Sequence, residues 1–344
     1  MHCRKRFRSY LRNIGVNKES KENIMKLMKT EEAVGQVLCH DITQIIPGVT
    51  KDAVFRKGHI ITKEDIPVLL SVGKEHIYIW EKDEHMLHEN EAAKILYEMC
   101  QNEHMHPSDV KEGKIELIAD CDGLFKVDRE KLRKVNSLGE MMIASRHGNF
   151  PVKAGDKIAG TRIIPLVIEA EKMEHAKKVG GGVPVFGILP FIKKRAGLVI
   201  TGNEVFHGRI RDTFSPVIEE KLAEYQVDIV GKEISDDQPE RITECIQKLL
   251  GQGADLILCT GGMSVDPDDR TPLAIRNTGA EIVSYGAPVL PGAMFLLAYY
   301  GEDRIPVMGL PGCVMYARRT IFDLVLPRVM AGEILEKKDL DILG

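Results

Sequence analysis

The second half of the chain carries four short apolar runs, at 196–201, 227–235, 254–260 and 304–309. Each leads into a turn and then into apolar residues at helical spacing, over 216–225, 239–250, 272–278 and 314–330. Repeated β-then-α of this kind predicts a mostly parallel sheet with helices on both faces. In such open sheets, ligands bind at the carboxyl ends of the strands. The turns after each run are therefore where chemistry is expected.

The first half reads differently. The segment "GHIITKEDIPVLLSVGKEHIYIW" predicts a helix over 63–71, a stop at Gly73 and a strand ending at Trp80. In "EHMLHENEAAKILYEMC", Leu87, Ala92, Ile95, Leu96 and Met99 recur at helical spacing, which predicts one helix. "GKIELIADCDGLFKV" reads as two strands joined by a turn at 121–123, and "FPVKAGDKIAGTRIIPLVI" alternates around a Gly-Asp turn. The glycines and proline of "KKVGGGVPVFG" read as a linker. The expected organisation is a basic, poorly ordered extension over 1–29, a mixed α+β module over 30–190 (β-rich over 113–168) and an α/β domain over 191–344.

Composition narrows the function classes. Lys and Arg total 47 against 51 Asp and Glu, a net charge of −4, so no global field favours nucleic acid or an anionic membrane. No apolar run approaches the length of a membrane-spanning helix. The seven cysteines are scattered and include no CxxC pair, which argues against a zinc ribbon and suits a reducing cytoplasm. His85 and His88 are three apart on the predicted helix, with His104 and His106 nearby, but no HExxH or cysteine partner accompanies them. A solvated helix face is the simpler reading.

The four strand ends are unusually polar. The first, "TGNEVFHGRIRDTFSP", holds Gly202, Glu204, Asp212 and Ser215; the second, "ISDDQP", holds Asp236 and Asp237. The third, "TGGMSVDPDDRTP", holds Thr260, Gly261, Gly262 and Ser264, then Asp266, Asp268 and Asp269; the fourth is "GLPGC", after a hairpin-like "PVLPGAM". Some of this is local structure: Ser215-Pro216 and Thr271-Pro272 read as helix caps, and one of Asp236 and Asp237 suits the first turn of the next helix. Two adjacent acids cannot both do that, so one is left over. Gly261-Gly262 between strand and helix suits an anion nest. A nest beside carboxylates is consistent if the ligand is phosphorylated and carries magnesium, which takes one or two carboxylates plus phosphates and water. Neither GxxxxGK[ST] nor GxGxxG occurs.

Taken in order, "TGNEVFHGRIRDTFS", "ISDD", "TGGMSVDPDDRTP", "PVLPG" and "GLPG" resemble the molybdopterin-binding domain over 196–330. That domain is shared by molybdopterin adenylyltransferases, molybdopterin molybdotransferases and competence-damage-inducible proteins. The resemblance implies a three-layer α/β/α domain preceded by a smaller mixed α+β module. It implies Asp236 and Asp269 as the catalytic acids, with Asp212, Asp237 and Asp269 toward magnesium. Gly202, Glu204, Ser215, Thr260, Gly261, Gly262, Ser264, Pro291, Gly292, Pro311 and Gly312 would face the substrate. The implied reaction is insertion of molybdate into adenylylated molybdopterin in the cytoplasm. Adenylylation of molybdopterin and a non-catalytic carrier or sensor are the alternatives. A homodimer or homotrimer and a molybdoenzyme partner are implied by the same resemblance. The front segments "AVGQVLCHDI" and "FRKGHIITKEDIPVLLSVGKEHIYI" are similar to the molybdotransferases, whereas Cys313-Val314 departs from their Asn-Pro or Ser-Pro. Cys313 reads as a packing residue, and Arg270 suits either Asp269 or a phosphate.

Overall fold

The computed structural model describes residues 25–46, 50–80, 85–264, 266 and 269–344. The chain divides into two compact units. One comprises 1–118, 127–146 and 156–187; the other comprises 119–126, 147–155 and 188–344.

The first unit is a set of small sheets. Met25–Lys29 pairs antiparallel with His76–Trp80, and Ile42–Ile46 with Thr50–Phe55. With helix Asp65–Ser71, this part closes on Ala33, Leu38, Ile42, Ile61, Leu69, Ile77 and Ile79. Of the extension expected over 1–29, residues 1–24 lie outside the described residues, and the last five form that first strand. A four-stranded sheet runs in the order Met105–Pro107, Lys114–Ala119, Lys157–Ile163, Met141–Ser145. Thr161 within it donates to the carbonyl of Ala93 in helix Glu89–Cys100.

Three expectations for the front half change. The helix predicted across "EHMLHENEAAKILYEMC" begins only at Glu89, because Met86–His88 is a strand paired with Val167–Glu169. His88 is the helix N-cap: its Nδ1 accepts from Asn90 N and its backbone N–H donates to Glu91. His85 and His88 therefore share no helix face, and no group of three or more potential metal ligands occurs among the described residues. Lys114–Ala119 and Gly123–Val127 do not form a hairpin; the first pairs with Lys157–Ile163 and the second with Phe150–Val152. Most of the expected linker is ordered structure, since helix Ala170–Gly180 runs into it and strand Phe186–Pro190 leaves it.

The second unit is built on a six-stranded sheet. Its strands are β1 (Arg195–Thr201), β2 (Asp228–Ser235), β3 (Leu256–Thr260), β4 (Glu281–Tyr285), β5 (Leu296–Tyr300) and β6 (Ile305–Leu310). The order is β2-β1-β3-β6-β5-β4. β2, β1, β3 and β6 run parallel, and β5 and β4 add an antiparallel edge. Four helices cover it: α1 (Phe214–Ala223), α2 (Pro239–Gly251), α3 (Thr271–Asn277) and α4 (Ile321–Met330).

Side-chain alternation sorts them into layers. Leu198, Ile200, Leu256, Leu258 and Met308 face α1 and α4 through Ile218, Leu222, Phe322 and Val325. Val199, Ile257, Cys259 and Val307 face α2 and α3 through Ile242, Ile246, Leu249, Ala274 and Ile275. Covering both faces explains why β1, β3 and β6 read as largely apolar runs, whereas the edge strand β2 carries Asp228, Lys232 and Glu233. α4 starts at Ile321, later than its pattern suggested, because Thr320 and Asp323 form a capping box there. Of the two front segments, 119–126 belongs to this unit through specific bonds, Phe191 N donating to Asp122 O and Lys126 reaching Glu333, and 147–155 pairs with it along Phe150–Val152. Among the described residues, no helix is long and apolar enough to cross a membrane.

Candidate functional site

The carboxyl ends of β1, β2 and β3 bring the predicted polar residues together. After β1, Gly202 opens a single helical turn, Asn203–Phe206, and the exposed Glu204 sits on it. The carbonyl of Glu204 accepts from the N–H groups of Arg209 (2.8 Å) and Ile210 (3.2 Å), which folds the loop back on the turn. Asp212 then caps α1, its Oδ1 accepting from Phe214 N at 2.8 Å and Ser215 N at 3.1 Å. Burial pushes the Asp212 carboxyl up, but hydrogen bonds from Ser215 and from the Phe214 N–H outweigh it, so the group sits below the usual carboxylate range. Ser215 itself is buried one residue inside the helix, so the capping role expected of it belongs to Asp212. Thr271 likewise lies inside α3, and its hydroxyl donates to Gly261 O at 2.9 Å.

The two adjacent acids after β2 separate clearly. Asp236 is buried: its Oδ1 accepts from Gln238 N (3.2 Å) at the start of α2, and its Oδ2 from Arg241 Nη1 (2.7 Å). Both its oxygens are engaged, and it is the acid that belongs to the helix. Asp237 is the one left over. Its Oδ2 accepts only from Asn203 N, at 3.1 Å, among the described residues. Burial raises its carboxyl above the ordinary value, and the charges of Glu204, Asp269 and Asp236 add to that against the Asn203 hydrogen bond.

The turn after β3 is shaped by two glycines. Gly261 has φ +85° and Gly262 φ +56°, and a Cβ on Gly261 would lie 2.3 Å from the Thr201 carbonyl oxygen. No other residue fits there. The Thr201 hydroxyl donates to Thr260 O at 3.0 Å, which ties the ends of β1 and β3. Farther on, Ser264 N donates to Asp269 Oδ2 at 2.8 Å, and Asp269 N to Asp266 O at 3.0 Å. The Tyr285 hydroxyl, from the end of β4, bonds the carbonyls of Met263 and Ser264, each at 3.2 Å. Burial and the Asp269 charge push that phenol up, so it is a proton donor at neutral pH. Asp268 lies outside the described residues. The buried hydroxyls of Thr260 and Ser235, at the ends of β3 and β2, have no hydrogen-bond partner among the described residues.

The remaining predicted residues are placed by local turns near the start of α4. Leu290–Pro291 is a cis peptide, and the Pro291 carbonyl accepts from Ile321 N. Pro311 precedes a 3₁₀ turn, Gly312–Met315, and its carbonyl accepts from Val314 N. Cys313 is half-buried and burial pushes its thiol up, in keeping with packing. Sequence reasoning missed Asn203, Arg241 and Tyr285. The first two had a signal, a polar residue right after Gly202 and a basic residue in the first turn of α2. Tyr285 had none, because β4 was not resolved from the hairpin-like segment.

Comparisons with known proteins bear on parts of both units. Residues 197–331 match a family model described as a probable molybdopterin binding domain. Residues 27–81 match another, described as a domain of unknown function, DUF8806. The CinA-like protein of Mycobacterium avium strain 104 is 38% identical over 93 residues, 27% of this chain and 21% of that relative's length. The molybdopterin biosynthesis enzyme MoaB of Thermus thermophilus is 24% identical, with a TM-score of 0.33 over 41% of this chain and 98% of that one. A MoaB of Pyrococcus furiosus, described as a tungsten cofactor synthesizing protein, is 20% identical, with a TM-score of 0.31 over 36% of this chain and 84% of that one.

Proposed function

With residues 197–331 forming a domain of the molybdopterin-binding family, we propose that the protein binds adenylylated molybdopterin at the ends of β1, β2 and β3 and inserts molybdate into it, releasing AMP. The observation that carries this reading is Asp237, which accepts from Asn203 N just after β1 and feels the charges of Glu204 and Asp269, while the Gly261 turn closes on Thr201 at the end of the same strand. Crowded carboxylates are a cost to an unliganded fold and an asset to one that takes a cation with its ligand.

The residues fit magnesium in one particular way. No group of three or more side-chain ligands is arranged to hold a metal among the described residues. Magnesium needs only one or two carboxylates when phosphates and water complete its shell. Asp237 and Asp269 are the pair for that role, and Asp212 is committed to capping α1. When bound, magnesium neutralises phosphate charge. The rest falls to the chain: the turn from Thr260 to Gly262 offers backbone N–H groups to a phosphate, and the unpartnered Thr260 hydroxyl adds a donor. Molybdate, the other substrate, is an oxyanion whose ligand exchange calls for holding and orientation more than for a nucleophile. No protein nucleophile is assigned.

A binding-only role, as carrier or sensor, is favoured by the fourth strand end, where Pro311 to Tyr316 carries no charged side chain. One assay separates the readings. Incubation with adenylylated molybdopterin, molybdate and magnesium should release AMP. Tight pterin binding without AMP release would establish the carrier instead, and adenylylated product from ATP and molybdopterin would establish the adenylyltransferase.

A further inference from the structure

We propose that Tyr285 is a positioning residue for Asp269, acting through a single peptide unit. The peptide joining Met263 to Ser264 is bonded at both ends: its carbonyl accepts from the Tyr285 hydroxyl at 3.2 Å, and its N–H donates to Asp269 Oδ2 at 2.8 Å. In a trans peptide the C=O and N–H point in opposite directions. Fixing the carbonyl on Tyr285 therefore aims the N–H at the carboxylate. Bonds in such a chain also polarise one another, so the hydroxyl strengthens the donor that Asp269 receives. The second carbonyl, Ser264 O, meets the same hydroxyl at 3.2 Å, so two successive carbonyls are drawn to one side of the loop. The neighbouring glycines leave the backbone free to turn, and Tyr285 supplies the constraint from the antiparallel edge of the sheet.

Tyr285 is 43% exposed, which is high for a structural tyrosine and leaves its ring little part in the core. Its hydroxyl, on the other hand, is spent on the loop that carries the acid. The consequence for catalysis rests on the proposed role of Asp269; the positioning itself does not.

The test is Tyr285→Phe in the full-length protein, with two readouts. Amide hydrogen exchange at Ser264, followed by NMR without ligand, should speed up by about three- to tenfold, the loss expected for the one hydrogen bond that the hydroxyl proton shares between the two carbonyls. Exchange at the β3 and β6 amides should stay as in the wild type. Unchanged Ser264 exchange in the variant overturns the proposal. The second readout is binding of adenylylated molybdopterin with and without magnesium, where Tyr285→Phe should lose part of the magnesium-dependent gain while its melting temperature holds. A variant with faster exchange but a full magnesium gain would show that Tyr285 orders the loop without positioning the acid, which also overturns the proposal. A wild type with no magnesium-dependent gain would instead count against magnesium at Asp237 and Asp269, and the exchange result would then decide Tyr285 alone.

Discussion

Two carboxylates, one in each unit, are set among charged neighbours of opposite kinds. In the first unit Glu116 lies between Lys114 and Lys157, the latter 2.6 Å away, and hydrogen bonds from both hold its carboxyl below the ordinary range. In the second, Asp237 lies among Glu204, Asp269 and Asp236, and burial together with those charges holds it above that range. The first arrangement neutralises itself. In the second, Arg241 pairs with Asp236, and no cationic partner of Asp237 occurs among the described residues. That contrast is the reason for placing the proposed ligand site at Asp237: Glu116 has two cationic partners, whereas among the described residues Asp237 has only the Asn203 N–H.

The contrast can be broken in order of effect. Asp269→Asn should lower AMP release by about 10²–10³-fold, as removal of one preorganised charged group does. Its melting temperature should hold, since an asparagine oxygen can still accept from Ser264 N; retained turnover would refute its role. Arg241→Ala should destabilise the second unit by about 1–3 kcal/mol, measured by urea unfolding, because it leaves the buried Asp236 with only the Gln238 N–H.

Asp237→Asn should do the reverse and stabilise the fold by about 0.5–1 kcal/mol at pH 7 while weakening ligand binding. The sign follows from the raised carboxyl: its charged form is penalised in the folded state, fully so above the folded pKa. The gain from asparagine should therefore shrink as pH falls through that value and vanish below the ordinary carboxylate range. A variant less stable than wild type at neutral pH would contradict the crowding argument.

Glu116→Gln is the small counterpart. It should cost about 0.2–1 kcal/mol at neutral pH, and less in high salt. Because the folded carboxyl is depressed, that contribution is present above the unfolded value and lost as pH falls through the folded one. A stabilising Glu116→Gln would erase the difference between the two sites.

Much of the second unit was legible in the sequence. Strands buried on both faces announce themselves as apolar runs, as β1, β3 and β6 do, and the half-exposed edge strand β2 also stands where its shorter apolar run predicts. The polar strand ends were equally readable, because Gly261 and Gly262 answer to a backbone requirement that only glycine meets. What the sequence could not divide was Asp236 from Asp237. Neighbouring residues on a strand end point to opposite sides, and which side holds Arg241 is decided by how α2 packs. The first unit was harder for the same reason. Its strands are short and pair across long separations, so Lys114–Ala119 and Gly123–Val127 read as one hairpin and belong to different sheets. Met86–His88 reads as helix because three residues are too few to show a period of two.

On the proposed function, Asp237 and Asp269 need a cation that arrives with a phosphorylated ligand. Calorimetric titration of adenylylated molybdopterin into the wild type and into Asp237→Asn, each with magnesium and with EDTA, tests it most directly. The wild type should bind at least about tenfold more tightly with magnesium, a difference of about 1.4 kcal/mol, and the variant should show little of that gain. Equal affinity with and without magnesium in the wild type, or the same gain in the variant, would contradict the account.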